Sequence, residues 1–301
     1  MSRWSQLSTL GRGASYALNI LFLLQRLFVQ FWSKTHLWNS QQCFTDLRGK
    51  TAVVTGANSG LGKAVSLELA RRGACVILAC RSRERGQQAL ADIQAATKGN
   101  SHVLLGEVDM SSMTSIRNFV QWLLREHPEI HLLVNNAAVS GALQRAGSAR
   151  VVNVSSFRHV RGYFDEEHLT GAGSPLAFHQ HYDCSKLLLI SFTGELARRL
   201  QGTGVTVNSV DPGVVYTEIM KNFSHLYRFI FWLSSFFIKD AKQGIIPILY
   251  LSLAKELEGI SGRYFNSSCV ITLPSEAGQD PHVAQRLWNA SVQLTKLDQM
   301  G

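Results

Sequence analysis

An α/β fold, a doubly wound parallel sheet in a single domain behind an N-terminal hydrophobic helix, is predicted by three observations. From Gly49 onward, short β-branched runs alternate with stretches of helical periodicity. A glycine-rich turn joins the first of those runs to a helix, and no repeat, low-complexity tract or Pro-rich linker divides the chain. With 301 residues and 46% hydrophobic content the chain has ample material for one large core, and a second domain has no support.

The first element is ASYALNILFLLQRLFVQFW (14–32), about as long as a segment that spans a bilayer core. Gln25 and Arg26 interrupt it, and on a helix Arg12, Asn19, Arg26 and Gln30 fall near one face. A central Arg costs roughly 3 kcal/mol in a spanning helix, so a helix lying in the membrane interface is expected, with a buried amphipathic helix as the competing reading. Arg3, Arg12, Arg26 and Lys34 all precede the first acidic residue, Asp46, which suits an anionic membrane surface. The polar stripe and the lack of a small-residue cleavage site argue against a signal peptide.

Six strands follow: TAVV (51–54), CVILAC (75–80), HVLLGEV (102–108), IHLLV (130–134), VVNV (151–154) and VTVNSV (205–210). Between the third and fourth, Ile116, Phe119, Val120, Leu123 and Leu124 form a helical stripe, with Ser111 or Ser112 as its N-cap. The five cysteines form no C-x-x-C pair and lie mostly in apolar runs, which indicates a reduced, cytosol-facing protein rather than a disulfide or zinc framework. The net charge of +9 is scattered without aromatic interleaving, so a nucleic-acid partner is not expected.

The turn TGANSGLG (55–62) carries Gly56, Gly60 and Gly62 between a strand and a helix N-terminus. There, backbone N–H groups can approach a pyrophosphate without side-chain clash, so the arrangement is Rossmann-like and dinucleotide-binding. Residues 49–301 are assigned to that domain and 1–48 to a membrane-associating segment. After strand two comes ACRSR, with Arg81 first past the strand and no acid beside it, which favours the 2′-phosphate of NADP(H) over a free ribose hydroxyl. Arg83 could share that role. Asp109, just past strand three, either accepts from the adenine amino group or caps the helix that follows.

YDCSK (182–186) places Tyr182 and Lys186 one helical turn apart, on one face. An ammonium there is expected to lower the phenol pKa and make Tyr182 a general acid or base near neutral pH. Ser156 ends the NVSS run at a strand terminus, and its neighbour Ser155 should point to the opposite side.

These motifs together resemble the short-chain dehydrogenase/reductase family from about Gly49 to Leu294. Gly56, Asn58, Ser59, Gly60, Leu61 and Gly62 match its cofactor turn. NNAA, with Asn136, resembles its NNAG motif, and Ser156, Tyr182 and Lys186 match its catalytic residues. DPGVVYT (211–217), with Pro212, Gly213 and Thr217, resembles its segment around the nicotinamide. ACRS, SGRYF (261–265) and RLW (286–288) are most similar to its retinol dehydrogenase branch. The resemblance implies that Tyr182 protonates a carbonyl oxygen as hydride arrives, that Ser156 hydrogen-bonds that oxygen, and that Lys186 holds the ribose. It also implies the endoplasmic reticulum as location. The aromatic run LYRFIFWLSSFFI (226–238) suits an apolar pocket or membrane-resting lid, hence a lipophilic, retinoid-like alcohol, aldehyde or ketone; an ordinary buried helix is the bland alternative.

One departure stands out. Only ten residues, SGALQRAGSA, separate Val139 from Arg150, at the limit for a parallel crossover of roughly 10–12 residues. The family's helix at this point, often part of a subunit interface, and its catalytic asparagine are missing; no residue from Ser140 to Arg150 is Asn, and Ala138 replaces the NNAG glycine. With Leu143 as its one large apolar side chain, the segment should leave the sheet face exposed or refilled, lower stability, promote aggregation and make a homodimer doubtful. A catalytically silent dinucleotide-binding or interaction protein is the rival function. Of four N-x-S/T sequons, Asn153 sits in an expected core strand, so they carry little weight.

Overall fold

A computed structural model describes residues 20–30, 38–99, 101–135, 141–170, 173, 176–216 and 238–296. The sheet is built from β1 (Thr51–Thr55), β2 (Cys75–Cys80), β3 (Val103–Glu107), β4 (Leu132–Asn135), β5 (Ala149–Val154), β6 (Val205–Val210), β7 (Tyr264–Phe265) and β8 (Ile271–Thr272). Their order is β3-β2-β1-β4-β5-β6-β7-β8, parallel except for the antiparallel β7–β8 pair. All six expected strands form, two with the expected bounds and four with ends shifted by one or two residues. The two-residue β7 and β8 were not anticipated, because elements so short carry no periodicity.

Strand alternation divides two cores. Val54, Leu78 and Val152 face α2 (Gly60–Arg71), α3 (Arg83–Ala96) and the helix Ile246–Leu253. Val53, Ile77 and Val151 face α4 (Met113–Glu126) and α7 (Phe178–Arg199), the latter preceded by the short α6 (Glu166–Thr170). Ser112 caps α4, its Oγ accepting from Ser115 N at 3.3 Å, which resolves the Ser111/Ser112 alternative.

The short crossover closes. β4 and β5 pair in parallel, Leu132 with Arg150 through Asn135 with Asn153, and the described part of the connection forms one short helix, α5 (Gly141–Arg145). Leu143 is buried in the second core, so the one large apolar residue of the segment does cover sheet. α7 packs on the same core, and the last helix, Pro281–Thr295, lies against α7 with Trp288 bordering that core. Trp288 stacks on Phe192 of α7 at 5.7 Å, Arg199 lies 4.2 Å over the Trp288 ring, and Arg117 of α4 donates to Thr295 O at 2.7 Å. Of the two alternatives, exposed or refilled, the second holds for the described residues.

Residues 20–30 form helix α1, which packs Leu23 and Leu27 against Phe157 and Val214. Two of its polar side chains, Arg26 and Gln30, turn toward the domain, whereas an isolated interfacial helix would turn them to water; Gln25 is exposed. Arg26 lies 5.5 Å from the Phe22 ring centroid and 5.6 Å from that of Phe157, and Gln30 is buried, its Oε1 accepting from Val214 N at 2.8 Å. Leu21, Leu24, Phe28 and Val29 are exposed, together with Gln25. Arg12, Asn19 and most of the aromatic run at 226–238 lie outside the described residues. Among the described residues no helix is long and apolar enough to cross a membrane. Asn153 is fully buried and donates to Thr193 Oγ1 at 2.8 Å, so its sequon is closed to modification in the folded chain.

Replacing Leu143 with Ala should destabilise the protein by about 3 kcal/mol, because it opens a cavity where the crossover has no other large apolar side chain. Equilibrium urea unfolding followed by tryptophan fluorescence measures this; a loss below about 1 kcal/mol would mean that Leu143 does not carry that face.

Candidate active site

The strand order reverses between β1 and β4, and a crevice opens at the carboxyl ends of the strands there, as in other doubly wound sheets. A cleft of about 250 Å³ lies at this point, lined among others by Gly56, Ser59, Gly60, Tyr182, Lys186 and Pro212. Leu61, Gly62 and Asn135 also line it.

Gly56 and Gly60 adopt φ values of 63° and 54°, which glycine reaches without strain. Gly62 is required by a close approach, since a Cβ there would lie 2.5 Å from Gly56 O. Ser59 is the N-cap of α2 yet makes no side-chain capping bond, so the first N–H groups of the helix keep their capacity for an anion at the cleft. This donor set fits the pyrophosphate of a dinucleotide. Asn58 lies in the same turn, half-buried.

Ser156 is buried at the end of β5, where its Oγ accepts from Arg158 N at 3.3 Å. Ser155 Oγ instead donates to Lys186 O at 2.9 Å, so the two neighbours take different partners, as strand alternation requires. Lys186 Nζ donates to Val154 O at 3.0 Å and sits 5.5 Å from the Tyr182 ring centroid. Burial lowers the Lys186 pKa to about 8. For Tyr182 the expected lowering does not emerge. Burial pushes its phenol up, outweighing the downward pulls of a hydrogen bond with Ser156 and of the Arg158 charge, while Asp211 and Asp183 push it further up. The i, i+4 spacing brings the ammonium beside the ring, but desolvation of the phenolate is the larger effect here.

The remaining predicted residues are spread along the crevice. Arg81 and Arg83 are exposed past β2, and the Arg81 charge helps hold Asp109 below the usual carboxylate range, after the hydrogen bonds from Ser111 N and Oγ. Those two bonds, at 3.0 and 2.7 Å, give Asp109 the turn-capping role; Ser112 caps the helix itself. Gly213, at φ 84°, donates its N–H to Asp211 Oδ1 at 2.8 Å. Asn136 and Thr217 lie outside the described residues.

Two features were missed from sequence. Buried His159 links the Ser156 turn to the C-terminal region: Ser275 N donates to its Nε2 at 3.1 Å, so the proton sits on Nδ1, which donates to Ser156 O at 2.8 Å. Burial lowers its pKa and keeps it neutral. Arg158 and Asp183 form a two-point ion pair, Nε–Oδ1 2.5 Å and Nη2–Oδ2 2.8 Å. Neither had a periodicity or spacing signal, because both join segments distant in sequence.

The family model described as short chain dehydrogenase matches residues 50–160 and 169–227. Retinol dehydrogenase 12 of Mus musculus is 39% identical over 284 residues, covering 84% of this chain and 89% of the mouse protein. Retinol dehydrogenase 11 of Homo sapiens is also 39% identical, covering 83% and 87%. Among solved structures, a protein from Mycobacterium paratuberculosis aligns with a TM-score of 0.66 at 25% identity, covering 86% of this chain and 98% of that one. An actinorhodin polyketide ketoreductase with NADPH shares the fold, with a TM-score of 0.58 at 19% identity over 77% of this chain and 98% of its own.

Because burial holds Lys186 near 8, its ammonium is present below that pH and lost above it. Amine-labelling mass spectrometry across the neutral to alkaline range should place the Lys186 midpoint at about 8 in the cofactor-free protein. A midpoint at the ordinary lysine value would mean that the amine is solvated rather than enclosed.

Proposed function

This chain belongs to the short-chain dehydrogenase family of NAD(P)(H)-binding oxidoreductases, and from that premise we propose that it interconverts a lipophilic, retinoid-like alcohol and its carbonyl partner with NADP(H). The observation that carries this reading is the convergence of Tyr182 and Lys186 with the glycine turn in one cleft, beside the buried Ser156. When bound, the nicotinamide supplies or accepts the hydride. Ser156 orients the substrate oxygen, and Tyr182 gives it a proton in reduction and removes one in oxidation. Lys186 holds the ribose hydroxyls and offers positive charge beside the phenol. Burial keeps the phenol protonated, which suits the acid role, and NADPH as donor favours reduction.

Arg81, exposed past β2 with no acid beside it in the sequence, is the assigned partner of the 2′-phosphate. Asp109 is assigned to the adenine edge, and Asn58, Asn136, Pro212, Gly213 and Thr217 to the rest of the cofactor. The membrane reading rests on α1, whose buried side docks on the domain while Leu21, Leu24 and Phe28 are left exposed as an apolar surface. Location on the endoplasmic reticulum, with the domain facing the cytosol, follows the family resemblance.

An internally shortened crossover is compatible with this function, since the sheet remains paired across it. The alignment with the mouse relative has 284 positions, more than 84% of 301 residues can fill, so it contains gaps in this chain. The rival reading, a silent dinucleotide-binding protein, predicts that the cofactor binds without chemistry.

Detergent-purified protein given NADPH and all-trans-retinal should consume NADPH, and Tyr182→Phe should reduce turnover at least about a hundredfold while NADPH still binds. NADPH binding without turnover in the parent protein selects the silent reading. Arg81→Ala should weaken NADPH binding roughly tenfold and leave NADH binding nearly unchanged, read by cofactor fluorescence titration; equal effects on both cofactors would remove Arg81 from the 2′-phosphate.

A further inference from the structure

We propose that Arg158 and Asp183 are positioning residues that clamp the turn carrying Ser156 to the helical turn carrying Tyr182, so that the two hydroxyls meet at one substrate oxygen. This rests on the catalytic reading above. Asp183 directly follows Tyr182 in α7, and Arg158 lies two residues past Ser156, in the 3-10 turn Phe157–Arg161. The guanidinium engages both carboxylate oxygens, at 2.5 and 2.8 Å, and two parallel bonds fix orientation as well as distance. Both side chains are nearly enclosed, at 13% and 4% exposure.

A pair so buried is a poor source of net stability, because desolvation offsets most of the attraction; what it supplies is one defined geometry. The surroundings agree. Arg158 N donates to Ser156 Oγ, so the residue that grips Asp183 also orients the serine hydroxyl. At the far end of the turn, a Cβ on Gly162 would meet Asp183 O at 2.5 Å, so the two segments touch along the whole turn. The start of α7 is thus tied to this turn through Asp183, by its side chain and by its backbone alike.

The clamp also acts electrically on Tyr182. Its phenol is faced by Ser156 and Arg158 from the turn, Asp183 and Lys186 from its own helix, and Asp211 from the end of β6. Arg158 pulls its pKa down and Asp183 pushes it up, so neutralising one partner should shift it in the direction opposite to neutralising the other. An ion pair remote from the phenol gives no reason for opposite shifts, and the positioning role itself is read from the loss of kcat when the fork is removed and the charge kept.

The test compares Arg158→Gln, Asp183→Asn, the double variant and the parent. In each, Tyr182 ionisation is read as the tyrosinate absorbance lost on adding Tyr182→Phe, alongside kcat and KM for all-trans-retinal and the NADPH dissociation constant. The phenol should titrate higher in Arg158→Gln, lower in Asp183→Asn and near the parent in the double variant. Each single change should cost about tenfold or more in kcat, with KM and NADPH affinity within about threefold of the parent. Arg158→Lys, which keeps charge but not the fork, should retain the parent phenol titration and still lose kcat. Shifts in one common direction, or kcat losses matched by equal losses of NADPH affinity, would overturn the clamp. Opposite shifts in a parent protein that turns over no retinal would uphold the clamp and overturn the assigned reaction instead.

Discussion

Parallel pairing of β4 with β5 is the constraint on which the rest depends. Parallel neighbours cannot be joined by a hairpin; the chain must leave β4 at one end of the sheet and return to start β5 at the other. Here it does so between Asn135 and Ala149, with room for one short helix. Every residue of β4 is nevertheless buried, so the second face must be covered by something other than a long crossover helix. Leu143 and α7 pack into that core, and Trp288 of the last helix borders it against Phe192. Tight packing makes this substitution of one element by another possible: a sheet face needs apolar contact and is indifferent to which segment provides it.

Burial then sets the chemistry of the cleft in two opposed ways. Desolvation makes the Lys186 amine easier to neutralise and the Tyr182 phenol harder to ionise, since each penalises the charged form. Close spacing of an ammonium and a phenol therefore does not by itself produce a tyrosinate. It produces a protonated phenol beside a cation that sits close to its own switching point, and the balance is trimmed by the Ser156 hydrogen bond and by charges at Arg158, Asp183 and Asp211. A proton donor is what such a balance favours. Asp183 shows the same competition, with burial pushing its carboxyl up and Arg158 pulling it down, and the two-point geometry is that of a carboxylate.

The parts legible in the sequence are those whose physics is local. β1 to β6 were visible because buried parallel strands are continuous apolar runs, and the glycine turn because positive φ and close backbone approach leave few alternatives at Gly56, Gly60 and Gly62. Tyr182 and Lys186 were visible through helical spacing. What stayed hidden depends on distant contacts. Nothing around Arg158 marks it as the partner of Asp183, and nothing around Arg117 or in AQRLWNAS announces that the last helix would reach α4 and α7. The phenol shift was misjudged for the same reason: spacing reports which charge is near, whereas desolvation reports how many atoms from all other segments have closed around the group.

Helix α1 reverses the ordinary meaning of an amphipathic pattern. A polar stripe on an isolated helix is read as the side that faces water, and here Gln30 of that stripe faces protein. Its amide takes Val214 N at 2.8 Å and gives to Val214 O at 3.3 Å, pairing both backbone groups much as a neighbouring strand would. Gly213 has no room for a side chain on that side, since a Cβ would run into Gln30 Oε1. The segment that follows β6 at the cleft is thus completed by a residue from the N-terminal helix, and Arg26 spreads over the Phe157 ring directly after Ser156. Apolar Leu21 and Phe28 are left to face outward. One short helix therefore has a side that docks on the segments flanking the site, and there Arg26 and Gln30, two polar residues that would oppose membrane spanning, are the ones that make it part of the domain.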